Sequence, residues 1–194
     1  MTVNQDINTE RRFPWLKIAC YVICVILVVF YVAILFSPRN VCIEYELYYV
    51  TGELSEWPRY GGLDYKLGEK VYLGSENASF SSKRKGTGWS LRENDFSWTS
   101  GKKANVLFKF ENDVDMTATI SVGEMRCQSY DIQINGNTVL SEATVQNGIL
   151  SVDIPSGLAD ENGLIYFTFV PNFSENSNSG LGIQVREMTI TERG

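Results

Sequence analysis

Aromatic side chains carry most of the chemistry this sequence offers. Beyond the first forty residues stand Trp57, Trp89 and Trp98, with a tyrosine-rich series of Tyr45, Tyr48, Tyr49, Tyr60, Tyr65 and Tyr72. An aromatic ring joins apolar area to a polar handle, which suits both stacking on sugar rings and packing against protein partners. Trp57, Trp89, Trp98 and Tyr60 are therefore the candidate ligand contacts. Trp57 sits beside Pro58 and Gly61-Gly62, in a loop that should expose it. For Trp89 and Trp98 the competing expectation is packing between sheets.

Residues that break bonds are missing or scattered. No histidine occurs among the 194 residues, which excludes Ser-His-Asp and Cys-His catalysis and an H-E-x-x-H zinc site. Gly86-Thr87-Gly88 begins like a dinucleotide loop, but Leu91 takes the third glycine position and no strand–helix unit surrounds it. There is no G-x-S-x-G and no P-loop. Glu111, Asp113 and Asp115 could offer oxygens to calcium, which needs six to eight of them, yet they read as a solvated hairpin tip. A carboxylate pair for glycoside hydrolysis leaves no mark in spacing, and most acidic residues here fall in turns. The expectation is no catalytic residue, no metal, no cofactor and no enzyme activity.

A net charge of −6 and a sequence pI near 4.8 argue against nucleic acid as a partner. Lys83-Arg84-Lys85 and Lys102-Lys103 are basic spots on this acidic background. They suit anionic polymers or phosphate headgroups, but solvated loops are the expected reading.

One element fixes where these residues sit. Residues 18–36 contain no charge, and as a helix they reach roughly 28 Å, close to the bilayer's hydrocarbon core. Val, Ile and Leu occupy every face. Arg11, Arg12 and Lys17 precede this run and only Arg39 follows closely, so the positive-inside rule keeps the N-terminus cytoplasmic. A cleaved signal peptide needs a shorter apolar region and small residues at the cut, unlike Leu35-Phe36-Ser37. The expected organisation is a cytoplasmic N-terminus at 1–15, a transmembrane signal anchor at 16–37 touching lipid through 18–36, and an extracytoplasmic domain at 40–194. Its place is the cell membrane, crossed once.

That outer domain reads as all-β. No stretch keeps an apolar period of 3.6, and short β-rich runs recur at 42–50, 69–73, 104–110, 116–122, 130–134, 149–154, 164–170 and 181–191. Ala104, Val106, Phe108 and Phe110 alternate with Asn105, Leu107 and Lys109; Tyr130, Ile132 and Ile134 alternate with Asp131 and Gln133. Asn135-Gly136 predicts a type I′ hairpin. Residues 171–180 read as a loop and 37–40 as a tether. An antiparallel β-sandwich or jelly roll is the expected fold. Cys20 and Cys24 lie in the apolar helix as small residues. Cys42 and Cys127 are the outer domain's only pair. A bridge between them would stabilise by roughly 4–5 kcal/mol on the chain-entropy model, and free thiols are the equal alternative.

Several phrases in order carry a resemblance. They are Tyr65-Lys66-Leu67-Gly68-Glu69-Lys70-Val71-Tyr72-Leu73, Gly88-Trp89-Ser90 with Glu93, Trp98-Thr99-Ser100-Gly101 before Ala104, Asn135-Gly136, and Leu181-Gly182-Ile183-Gln184-Val185. Over residues 65–190 the chain resembles a jelly-roll accessory domain of bacterial membrane phosphoglycerol transferases and cell-surface glycosyltransferases. Where that family often carries an Asp/Arg pair before the last strand, this chain has Asn178, Ser179 and Gly180. The resemblance implies a carbohydrate-binding-like module with no catalytic residue, here on a single transmembrane anchor. Two functions follow as expectations. One is a tethered module holding surface glycan in bacterial cell-envelope polysaccharide assembly or recognition. The other is an interaction subunit docking on a multi-pass glycosyltransferase or export protein. An exposed tryptophan groove would favour the first, and a flat apolar patch the second.

Overall fold

The computed structural model describes residues 14–36, 41–74, 82–90, 93, 95–174 and 180–194. Arg11, Arg12, Arg39, the tether at 37–40, Leu91, Asn178 and Ser179 lie outside the described residues. The chain divides into two units, Met1–Asn40 and Val41–Gly194. In the first, helix α1 (Pro14–Phe36) contains the whole uncharged run and leaves its Val, Ile and Leu side chains exposed. It is long and apolar enough to cross a membrane.

The second unit is two antiparallel sheets face to face. Its elements are α2 (Ile43–Tyr45), β1 (Lys70–Tyr72), β2 (Ser97–Ser100), β3 (Ala104–Lys109), β4 (Met116–Met125), β5 (Ser129–Ile134), β6 (Asn137–Ala143), β7 (Gly148–Ile154), β8 (Leu164–Asn172) and β9 (Leu181–Glu192). One sheet runs β1-β9-β4-β7, with β2 also on β9; the other runs β3-β8-β5-β6. Alternation decides which side chains meet between them. Tyr130, Ile132 and Ile134 of β5 point in and join Phe108, Phe167, Phe169, Ile120 and Val185 in the core. Each such side chain contributes about 1.5–3 kcal/mol by leaving water. At the β5–β6 turn Asn135 and Gly136 both take positive φ, 47° and 82°, as a type I′ hairpin demands.

The second sheet is covered on its outer face too. Leu107, on the side of β3 that alternation assigns to polar residues, is fully buried. It meets Leu164 together with Leu47, Leu54 and Leu63 from the segment that precedes β1. This covering layer corrects one expectation. Residues 42–50 are rich in β-branched and aromatic types, which favour strands, yet α2 runs into a π-helical turn at Glu46–Val50. Glu44, Leu47 and Tyr48, spaced i, i+3, i+4, face inward, while Tyr45 and Tyr49 face solvent. Strand β8 also extends through Pro171 and Asn172 into the stretch read as a loop.

Strand β2 escaped the sequence reading, and β6 was marked there only by the hairpin that opens it. In β2 the polar Ser97 and Thr99 are wholly buried; Ser97 Oγ donates to the Leu73 carbonyl at 2.6 Å, and Thr99 Oγ1 accepts the Ile183 N–H at 2.9 Å. In β6 the residues are mostly exposed and its pairing with β5 shifts register twice, so no clean period marks it.

Two of the phrases that carry the resemblance have structural work. The Tyr65 hydroxyl accepts the Ile190 N–H at 2.8 Å and donates to the Glu69 carbonyl, tying the entry of β1 to β9. Gly88 holds φ at +87° against the Lys103 and Ala104 backbone, where a Cβ would overlap the Lys103 carbonyl oxygen.

Candidate functional site

A polar groove lies on the outer face of the second sheet, beside the covering layer. Register sets Asn105 of β3, Thr168 of β8 and Gln133 of β5 side by side across three strands. The next outward row brings Tyr166 of β8 beside Leu107. Asn135 closes one end: its Nδ2 donates to the carbonyls of Leu158 and Leu164 at 2.7 and 2.9 Å, and its Oδ1 accepts the Tyr166 N–H at 2.7 Å. Glu53 reaches in from the covering layer and Lys103 from the turn before β3. The groove so formed has a volume of about 460 Å³.

Two acceptors in it lack donors. Glu53 Oε2 and Asn105 Oδ1 are buried and have no hydrogen-bond partner among the described residues. Asn105 is only 8% exposed, and an unmade bond at such a site costs about 1–3 kcal/mol. The Tyr166 phenol is pushed well above its ordinary range, first by burial and then by its hydrogen bond to Glu53 and that carboxylate's charge. The phenol therefore stays protonated. Both oxygens are placed to accept hydrogen bonds from a donor in the groove, water or ligand.

None of the four aromatic candidates lines this groove. Trp98 is 3% exposed, its ring covered by Arg126 with the guanidinium 4.5 Å from the centroid and met edge-on by Phe96. Its ring is packed in the protein, the arrangement expected as the alternative to ligand contact. Trp89 is half-buried; it donates its indole N–H to the Asn105 carbonyl at 2.7 Å and packs edge-to-face on Phe169. It braces the strand that presents Asn105 rather than a ligand. Trp57 and Tyr60 are brought together elsewhere, 5.7 Å between centroids, in a cluster with Tyr45, Tyr48 and Tyr49. Cys42 and Cys127 are free thiols. Cys42 immediately precedes α2, while Cys127 packs against the inner core.

The basic spot at 83–85 is also not a solvated loop. Arg84 is buried and donates to the carbonyls of Leu63 and Asp64 at 2.6 and 2.8 Å, under the rings of Tyr65 and Phe108. Lys85 is equally buried; its Nζ donates to Ser97 Oγ at 2.7 Å and the Leu73 carbonyl at 3.1 Å. Burial lowers the Lys85 pKa from 10.5 to about 8. Because the unfolded chain binds this proton more tightly, the charged lysine opposes folding below pH 8. The penalty disappears as pH rises from about 8 to 10.5. Stability should therefore climb across that window by up to about 3 kcal/mol from this group. Lys85→Met, which keeps the stem's length, should flatten the climb, as urea midpoints at successive pH values would show. An equal climb in both proteins would assign it to other groups. Glu111 is exposed, and Asp113 and Asp115 accept the N–H groups of Gly157 and Ser156 at 2.7 and 2.8 Å. These two acids therefore pin a turn.

No family model matches the chain, and no curated protein matches it. Solved structures do. A ruminal GH26 endo-β-1,4-mannanase has a TM-score of 0.40 at 11% identity, covering 67% of this chain and 27% of that one. A family 35 carbohydrate binding module from an environmental isolate has a TM-score of 0.37 at 16% identity, covering 66% and 90%. A GH26-CBM35 β-(1,4)-mannanase from Podospora anserina has a TM-score of 0.36 at 10% identity, covering 70% and 27%. The chain spans about a quarter of either mannanase's length. At TM-scores and identities this low the likenesses carry no weight for the groove, whose chemistry rests on its own residues.

Proposed function

We propose that this chain is a membrane-anchored, non-catalytic β-sandwich module that holds glycan hydroxyls in the groove of Glu53, Asn105, Gln133 and Thr168. The observation that carries this reading is the pair of buried acceptors without donors, Glu53 Oε2 and Asn105 Oδ1. A polyol supplies several donors at short spacing, and a bond to a carboxylate oxygen shut off from water is among the stronger contacts of a neutral ligand. On this reading α1 anchors the chain in a bacterial cell membrane, with the N-terminus cytoplasmic and the sandwich outside. The setting is cell-envelope polysaccharide assembly or recognition.

The test is a calorimetric titration of the full chain in nanodiscs with soluble fragments of bacterial surface polysaccharides. Saturable binding should weaken about tenfold in Glu53→Ala, the value of one such bond, and stay unchanged in Tyr60→Ala. Binding that ignores Glu53→Ala would displace the site from the groove. Silence to every glycan, with a membrane glycosyltransferase recovered by crosslinking, would make the chain an interaction subunit instead.

A further inference from the structure

We propose that the aromatic cluster formed by α2, its π-helical turn and the 57–60 loop is a foot that seats the outer unit on the lipid headgroup layer. This rests on α1 spanning the bilayer. Tyr45 and Tyr49 lie 4.9 Å apart, Tyr49 and Trp57 5.5 Å, and Trp57 and Tyr60 5.7 Å between ring centroids. Tyr49 is 62% exposed and Tyr60 79%, with Val41 and Val50 exposed beside them. The arrangement is built in rather than incidental. Glu44, buried inside the covering layer, accepts the Gly61 N–H at 3.0 Å and so fixes the loop against the helix.

Chain length supplies the occupant. Helix α1 ends at Phe36 and the outer unit opens at Val41. An extended chain covers at most about 3.6 Å per residue, so this link reaches no further than about 18 Å. The headgroup layer fills roughly 5–7 Å of that. Val41 is thus held within reach of the membrane surface, Tyr45 and Tyr49 follow it within eight residues, and Tyr and Trp are the side chains that settle at that depth. Ring geometry agrees. Neighbouring planes in the cluster meet at 39° to 87°, which gives no flat platform for a run of sugar rings but suits a disordered interfacial layer.

The experiment uses the full chain in phosphatidylcholine vesicles, part of whose lipid carries a nitroxide on the headgroup to quench nearby indoles. Trp15→Phe first removes the helix's own reporter. That variant should lose emission as labelled lipid replaces unlabelled lipid, and Trp15→Phe with Trp57→Phe should lose none. Adding Tyr49→Ser and Tyr60→Ser to Trp15→Phe should shrink the loss while the circular dichroism spectrum stays the same. The proposal is overturned if the Trp15→Phe chain floats with the vesicles yet its emission ignores the label. It is equally overturned if Trp57 responds only to a soluble glycan or to a captured protein. A chain that does not float overturns the anchoring as well, and flotation separates that failure from the others.

Discussion

Gly88→Ala should cost about 4 kcal/mol, a large part of the 5–15 kcal/mol that holds an ordinary domain together. Two penalties add. Gly88 sits at φ +87°, where a Cβ strains the backbone by about 1–3 kcal/mol. The new Cβ would also overlap the Lys103 carbonyl, with the Ala104 Cα close behind. Backbone cannot move aside as a flexible side chain can, and such overpacking costs a further 1–3 kcal/mol. The displacement would fall on Ala104 and Asn105, at the start of β3, so the groove should loosen with the core. Gly136→Ala is the control: φ is +82°, but nothing lies within 4 Å of the added atom, so only the backbone penalty remains. Urea unfolding of the full chain followed by tryptophan emission measures both. Equal losses in the two variants would refute the steric part.

Arg84→Met should cost about 3 kcal/mol, and Arg84→Lys should recover little of it. The guanidinium bonds two carbonyls at once, those of Leu63 and Asp64. A lysine's single ammonium cannot reproduce that fork. Leu63 O also accepts the Lys109 N–H at 2.8 Å, so the orphaned group is Asp64 O. The rings of Tyr65 and Phe108, 5.5 and 5.9 Å from the guanidinium carbon, lose their cation. The damage should concentrate in the covering layer. Limited proteolysis should therefore cut residues 41–66 of the variant first, and any glycan affinity the proposed function predicts should drop with it, because Glu53 belongs to that layer. Cleavage spread evenly along the chain would show that Arg84 supports the sandwich as a whole instead.

The strands were readable where one face is apolar and the other polar. Tyr130, Ile132 and Ile134 alternate with Asp131 and Gln133, and period two is enough to place β5 in a half-buried sheet. Strand β2 hid because its inward residues, Ser97 and Thr99, are small and polar, and their cost is met by hydrogen bonds to backbone far along the chain. The helical stretch at 43–50 hid for the opposite reason: Tyr45 and Tyr49 look like strand formers but stand in solvent. Leu107 broke the alternation of β3, and that break marked the covering layer. Lys83-Arg84-Lys85 looked solvated because burial of a cation is decided by its acceptors, here the carbonyls of residues 63, 64 and 73. The groove was illegible for the same cause. Glu53, Asn105 and Gln133 become neighbours only through strand order, and no local pattern announces an oxygen without a donor.

Strand order also has a consequence for how the chain is made. Strands β1 and β2 each find their ladder partner in β9, which lies between β1 and β4. The β3-β8-β5-β6 sheet is complete once Asn172 has been synthesised, but the other cannot close until Leu181–Glu192 has left the ribosome. Through that interval β1, β2 and one side of β4 carry open edges, the surfaces on which nascent β-proteins most readily aggregate. Contacts between residues as distant as Tyr65 and Ile190 make the final step slow, because loop closure precedes any gain from pairing. The last stage of folding in this domain therefore waits for β9, and a chaperone that shields β-edges is the assistance its topology calls for.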